Sequence, residues 1–226
     1  RIIQKRFESG YPYIFFTDNA NEGKPQVYKD KGLNITHSNL CTEIMLPDSS
    51  KESFVCDLSS LNLENYDEWK DTDAVQVLVY FLDAVMSEFI DKTEGVPFME
   101  RARTFAVNQR ALGIGWLGYH SYLQSKMVAF ESFEAKMLNV QIAKNIQDKA
   151  TEASKKMAQE YGRPSIFDGT DIEMRHTTLQ SIAPTKSSAF ILGQVSEGIE
   201  PHRTNYYIKD LAKGKFSVRN PQLEQV

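Results

Sequence analysis

The sequence is short of cysteine, of basic excess and of long apolar runs, and each shortage narrows what the chain can be. Two cysteines in 226 residues cannot staple a disulfide scaffold, and Cys41 and Cys56 lack the paired spacing of a zinc site. A reducing, cytoplasmic setting fits that count. Lysine and arginine number 26 against 30 aspartates and glutamates, a net charge of −4, which argues against the broadly basic surface of a dedicated nucleic-acid binder. The most apolar stretch, 74–90, is interrupted by Gln76, Asp83 and Glu88 and is shorter than a typical membrane span. No apolar core follows the charges of residues 1–10, so they do not read as a signal peptide. No repeat or low-complexity linker divides the chain. The expectation is one body over 1–226, long enough for a real core.

What is present reads as mixed α and β. Residues 1–9 look like the end of a helix stopped by Gly10. Tyr13-Ile14-Phe15-Phe16 suits a short buried strand, and 18–31 a polar loop. A helix is expected from about Asp73, its N-cap, with Leu78, Phe81, Leu82, Val85 and Phe89 facing the core. Ser132 is placed to cap a long helix to about Tyr161, ended by Gly162 and Pro164. Met137, Val140, Ile142, Ile146, Ala150, Ala153 and Met157 form much of its apolar side. Residues 178–183 read as a further strand.

Three stretches carry chemistry. In Asn39-Leu40-Cys41-Thr42-Glu43 the amide, thiol and carboxyl stand at i, i+2 and i+4. An extended backbone would put all three on one face; the bland alternative is an ordinary half-buried strand. Gly113-Ile114-Gly115-Trp116-Leu117-Gly118 matches G-x-G-x-x-G, but Val107 to Leu112 is a poor strand and no acid ends a second strand at the right distance. Small residues in a crowded strand explain it better. In Pro184-Thr185-Lys186-Ser187-Ser188 hydroxyls and a lysine precede a short apolar segment. Opened as a helix, that segment offers either an anion site or a plain capping loop.

Taken together, these segments resemble the catalytic large subunit of ribonucleotide reductase, class I more than class II. Ser38 to Ile44 looks like the radical-cysteine loop, Val55 to Leu63 like the strand carrying one redox cysteine, Arg110 to Gly115 like the glycine-rich barrel strand, and Ala183 to Ser188 like the substrate-phosphate loop. Ser196-Glu197-Gly198-Ile199-Glu200-Pro201 and Phe216 to Pro221 fit the downstream pattern. Lys186 and Ala189 depart from the commoner residues of the phosphate loop. The motifs come in the family's order over essentially the whole chain, and their joint occurrence is highly specific.

The resemblance implies an α/β barrel, here a contiguous piece, with a central catalytic finger loop. The allosteric nucleotide regions, the first part of the barrel, a second redox cysteine, the radical-relaying tyrosine pair and the mobile cysteine tail would lie on other polypeptide; Tyr206-Tyr207 comes too early to be that pair. It implies Cys41 as the thiyl-radical carrier, Glu43 as base for the 3′-hydroxyl, Asn39 as the group orienting the sugar hydroxyls, and Cys56 as a source of reducing equivalents. A Cys41–Cys56 disulfide is not expected. The 184–188 loop would hold the substrate phosphates. No cofactor or metal is expected on this chain: the radical would come from a separate metal-containing small subunit, and electrons from a thioredoxin- or glutaredoxin-type dithiol. The other function class left open is a nucleotide-binding or scaffold fragment without turnover.

Overall fold

The computed structural model describes residues 1–211 and 214–225. Helix α1 (Ile2–Ser9) ends at Gly10, whose positive φ closes the last turn with a bond back to the Arg6 carbonyl. Residues 13–16 form no strand: nothing pairs with them, and Tyr13 and Phe16 are 50% and 69% exposed. The expected polar loop after them is two short helices, α2 (Thr17–Gly23) and α3 (Gln26–Asp30). Burial of Ala20, Val27 and Tyr28 outweighs the turn-forming composition there.

The centre is a small parallel sheet. Strand β1 (Leu58–Asn62) pairs with β2 (Gly113–Leu117) in the register Leu58 to Gly113 through Asn62 to Leu117. Residues 178–181 run parallel along the other side of β2. Leu112 N donates to Thr178 O at 3.1 Å and Ile114 N to Leu179 O at 2.7 Å, while Ser181 N donates to Ile114 O at 3.2 Å. Only the Ile114–Gln180 bridge is regular, so the third strand expected at 178–183 is reduced to one bridge. Every residue of β2 is buried, as a strand between two neighbours must be. The glycine motif is structural: a Cβ at Gly113 would strike the Leu58 side chain, and one at Gly115 the Ser181 carbonyl.

Helices cover this sheet. After α4 (Tyr66–Trp69) come α5 (Ala74–Lys92), α6 (Glu100–Gln109), α7 (Tyr119–Ser125) and the long α8 (Phe133–Tyr161), with α5 packed on α8 and on β1. Ser132 caps α8 by accepting from Ala135 N at 3.1 Å, an interaction that stabilises a helix by about 1 kcal/mol. Asp73 makes no such bond; the Thr72 hydroxyl accepts from Ala74 N instead.

The buried face of α5 differs from the one its periodicity suggests. Val75, Val79, Leu82, Asp83 and Met86 are buried, whereas Phe81 and Val85 are 60% and 41% exposed. The reason is Asp83. Its carboxylate Oδ1 accepts from Arg110 Nε at 2.7 Å and Arg175 Nε at 2.9 Å, and lies 3.1 Å from His176 Nε2. A paired acid belongs inside, and it turns the helix with it. On α8, Met137 and Val140 likewise face outward while Ile142, Ile146, Ala150, Ala153 and Met157 are buried.

Beyond the sheet, α9 (Lys186–Ile191) precedes an antiparallel hairpin of β3 (Tyr206–Leu211) and β4 (Gly214–Arg219). Tyr206 and Tyr207 open β3, where they pair with Arg219 and Val218.

Candidate active site

The segment holding Asn39, Cys41 and Glu43 is a finger, and its tip is a turn rather than an extended run. Asn39 N donates to Ile44 O at 3.3 Å, Asn39 Oδ1 accepts from Ile44 N at 3.0 Å, and Thr42 N reaches Asn39 O at 3.2 Å. Thr42 takes a φ of 68°, which breaks the alternation on which a common face depends. With its carbonyl oxygen engaged in closing the loop, Asn39 has its NH2 group left to offer a ligand.

Both legs of the finger are anchored. On the incoming leg, Ile35 exchanges two hydrogen bonds with the Asn21 side chain, at 2.8 and 3.0 Å, and Lys24 Nζ donates to Leu33 O at 2.6 Å. On the outgoing leg, Ile44 and Leu46 are buried beside Val27, Tyr28, Phe105 and Phe167. Ser181 Oγ donates to Glu43 O at 2.8 Å. The finger therefore stands on a fixed base and exposes its tip, where Leu40 is 86% exposed and Cys41 is a free, exposed thiol.

Cys56 is also a free thiol, two residues ahead of β1 rather than within it. Burial pushes its pKa up first, followed by the charges of Glu43, Asp57 and Cys41. Cys56 thus feels the charges of Glu43 and Cys41 although 15 positions separate the two cysteines in sequence.

A cavity of about 920 Å³ opens beside the tip. Its wall includes Cys41 and Thr42 from the finger, Tyr11 and Tyr13 from the N-terminal segment, Pro184 and Lys186 from the loop before α9, and Arg203. That volume suits a nucleotide-sized ligand. The tyrosines, with ring centroids 5.2 Å apart, were not legible as site residues. Their mark in the sequence is the pair of aromatic residues flanking Pro12.

Not every expected residue meets this cavity. Glu43 faces a smaller one, and Asn39 and Cys56 do not line the larger. Thr185 is the N-cap of α9 with φ 51°, and its hydroxyl accepts from Gly198 N at 2.8 Å, which fixes the loop. Ser187 and Ser188 are exposed on the first turn of α9, a turn whose N–H groups have no intrahelical acceptor. Lys209 Nζ braces that turn from β3, donating to Lys186 O at 2.8 Å and Glu197 Oε1 at 3.3 Å.

Comparison with known proteins identifies the family. The family model described as ribonucleotide reductase, barrel domain, matches residues 1–174 and 170–226. The ribonucleoside-diphosphate reductase large subunit of Invertebrate iridescent virus 3 is 39% identical over 227 residues, covering 100% of this chain and 35% of the viral protein. The putative large subunit of Frog virus 3 (isolate Goorha) is 39% identical over 226 residues, covering 100% of this chain and 40% of that protein. Among solved structures, the Actinobacillus ureae class Id ribonucleotide reductase alpha subunit superposes with a TM-score of 0.92 at 54% identity, over 99% of this chain and 41% of that one. The chain thus spans well under half the length of the proteins it matches. Its parallel sheet is part of an α/β barrel, the anchored finger carries Cys41 beside the cavity, and the chain belongs to the ribonucleotide reductase barrel-domain family.

Proposed function

We propose that this chain is a catalytic piece of a ribonucleoside-diphosphate reductase large subunit, replacing the ribose 2′-hydroxyl by hydrogen through thiyl-radical chemistry. The observation that carries the reading is the anchored finger whose Cys41 thiol lines the large cavity together with Pro184 and Lys186 of the loop before α9. Direct cleavage of the 2′ C–O bond is hard, and a radical at C3′ weakens it. A sulfur radical on Cys41 takes the 3′ hydrogen, forming S–H and leaving a carbon radical. Glu43 accepts the 3′-hydroxyl proton as general base, and the Asn39 NH2 group orients the sugar hydroxyls. The 2′-hydroxyl leaves as water. Cys56 and a second cysteine outside this chain supply two electrons and two protons and end as a disulfide, and the Cys41 S–H returns its hydrogen to C3′, restoring the sulfur radical.

In this reading Pro184, Thr185, Lys186, Ser187 and Ser188 form the phosphate loop, residues 1–226 act as one unit of the barrel, and the chain carries no metal or cofactor itself. The radical comes from a metal-containing small subunit, and a thioredoxin- or glutaredoxin-type dithiol reduces the disulfide. The rest of the large subunit completes the barrel. Free thiols suit a reducing cytoplasm, and among the described residues no helix is long and apolar enough to cross a membrane. The test is a full-length subunit carrying this sequence, assayed with its small subunit, a dithiol and a ribonucleoside diphosphate. Formation of the 2′-deoxy product supports the reading. Nucleotide binding without product favours a non-catalytic role.

A first prediction concerns the phosphate loop. Ser187→Ala with Ser188→Ala removes two hydroxyl donors but leaves the backbone N–H groups of α9. Hydrogen bonds to charged groups contribute up to about 1.5–3 kcal/mol each, less at so exposed a site. Binding of the nucleoside diphosphate is expected to weaken by about tenfold, and binding of the nucleoside hardly at all. Equal losses for both ligands would mean that the serines serve only the loop's structure.

A further inference from the structure

A further cavity, of about 210 Å³, joins the mechanism above only through Glu43. Glu43 from the finger, Asp57 ahead of β1, and Thr178, Gln180 and Ser181 beside β2 all line it. Glu43 Oε2 and Asp57 Oδ2 are sealed from solvent and have no hydrogen-bond partner. Asp57 as a whole is only 9% exposed. The neighbouring donors are engaged elsewhere: Thr178 Oγ1 with Leu112 O at 2.9 Å, Ser181 Oγ with Glu43 O at 2.8 Å, and Gln180 Nε2 with Ala143 O at 3.2 Å. A buried carboxyl oxygen without a donor is costly. Two things meet the shortfall, a proton on a carboxyl group or water. Apolar side chains such as Ile44, Leu46 and Val55 complete the lining, and a cavity of this size with these polar groups on its wall has room for several water molecules.

We propose that Asp57 is a positioning residue for the proton chemistry of Glu43, the two carboxyl groups exchanging a proton through water in this cavity. The proposal rests on Glu43 being the base that receives the 3′-hydroxyl proton. The O–H bond of the substrate breaks as the Glu43 carboxylate takes that proton. Protonated Glu43 then gives it to a cavity water, which releases one of its own protons to the Asp57 carboxylate. Glu43 is left ionised and Asp57 neutral. No electrons move, and the proton returns by the same route when a later step consumes it.

The surroundings suit Asp57 to this role. Burial, and then the charge of Asp83, push its carboxyl up to about 6, with Arg110 opposing. It is therefore mostly ionised and ready to accept at neutral pH, and filled at mildly acid pH. The charged groups that shift it are Asp83 from α5 and Arg110 at the end of α6, and Glu43 shares its cavity; Asp83 is itself held by Arg175 and His176. Cys56 feels Asp57, Glu43 and Cys41 together, so the proton held on Asp57 also sets how readily Cys56 ionises.

The test uses the full-length subunit with its small subunit and a dithiol. Asp57→Asn is expected to lower turnover at pH 7.5 by roughly tenfold, less than loss of a direct base, which costs about 10²–10⁴-fold. It should also abolish the inflection near pH 6 in the turnover profile, and Asp57→Glu should restore both. Wild-type turnover and an unchanged inflection in a folded Asp57→Asn protein overturn the proposal. A second measurement needs no variant. The rate of Cys56 alkylation by iodoacetamide, read by peptide mass spectrometry, should rise less than tenfold per pH unit around pH 6, because ionising Asp57 opposes the thiolate. A tenfold rise per unit throughout that range overturns the proposal as well. If Cys56 shows the inflection but the wild-type enzyme yields no 2′-deoxy product, the reductase reading fails and the coupling of Asp57 to its neighbours stands.

Discussion

Replacing Cys41 by serine is expected to reduce 2′-deoxyribonucleotide formation to background while ribonucleotide binding stays measurable. The argument is local. Cys41 is an exposed thiol at the tip of the finger, and the turn is held by Asn39, Thr42 and Ile44 rather than by its sulfur. A near-isosteric change at such a site shifts stability by about 0.5 kcal/mol or less, so folding does not confound the result. What serine removes is a bond to hydrogen weak enough to exchange reversibly with a ribose C–H. Cys56→Ser gives the contrast. It should still permit exchange of the 3′ hydrogen, followed by substrate decomposition instead of clean reduction. The readouts are product formation and isotope exchange at the 3′ position. Normal turnover by Cys41→Ser removes its radical role. Equal silence of both variants, with folding intact, removes the division of labour between the cysteines.

The candidate residues of the finger are legible as a group because they lie close together in sequence, and the structure departs from the expectation in the backbone, which is not regular there. Asn39, Cys41 and Glu43 were grouped by strand alternation, yet Thr42 at φ 68° makes the segment a turn. With the alternation broken, Cys41 lines the larger cavity and Glu43 the smaller. No local rule marks a left-handed threonine, because the neighbouring bonds from Asn39 to Ile44 impose it. The reading of Gly113 and Gly115 as crowding residues succeeded because glycine where a side chain would collide is a steric statement, independent of topology.

The failures elsewhere share one cause. An apolar run such as 13–16 signals burial only if something covers it, and here Tyr11 and Tyr13 line an open cavity instead. In α5, apolar periodicity points to a face containing Phe81 and Val85, whereas the buried face includes Asp83. The partners that bring Asp83 inside, Arg110, Arg175 and His176, lie at least 27 positions away. Asp57 escaped notice for the same reason: an acid at the mouth of a strand is unremarkable until its unpartnered oxygen is found inside. Ser132 and α8 came out well, by contrast, because a cap and the helix it starts are neighbours in sequence.

The Asp83 cluster carries the largest expected effect on stability. Asp83 and its two arginines have side chains 7%, 10% and 11% exposed, so solvent screens the pairing weakly. Burial alone would push the Asp83 carboxyl up. Hydrogen bonds from His176, Arg110 and Arg175 outweigh that and hold it well below the usual carboxylate range. Asp83→Ala leaves two guanidinium groups buried without their acid, a change that costs about 3–5 kcal/mol. Asp83→Asn, which keeps an acceptor but no charge, should cost less. Hydrogen exchange at the amides of α5 and α8 reads this locally and should quicken by about a hundredfold or more in Asp83→Ala. A change below about 1 kcal/mol would mean that the cluster contributes no more than a surface ion pair. The pH dependence has a definite sign. The depressed pKa of Asp83 gives stability that is complete above the unfolded value of about 3.9 and is lost as pH falls through the lower folded value. His176 acts sooner: burial holds its pKa below the ordinary value, against the pull of Asp83. The unfolded chain therefore binds a proton first, and stability declines once pH drops below about 6.5. Asp83 favours the charged imidazole, so between about pH 4 and 6.5, above the range in which Asp83 itself titrates, the decline should be steeper in Asp83→Ala than in the wild type. A parallel decline in the two proteins would mean that His176 does not feel Asp83.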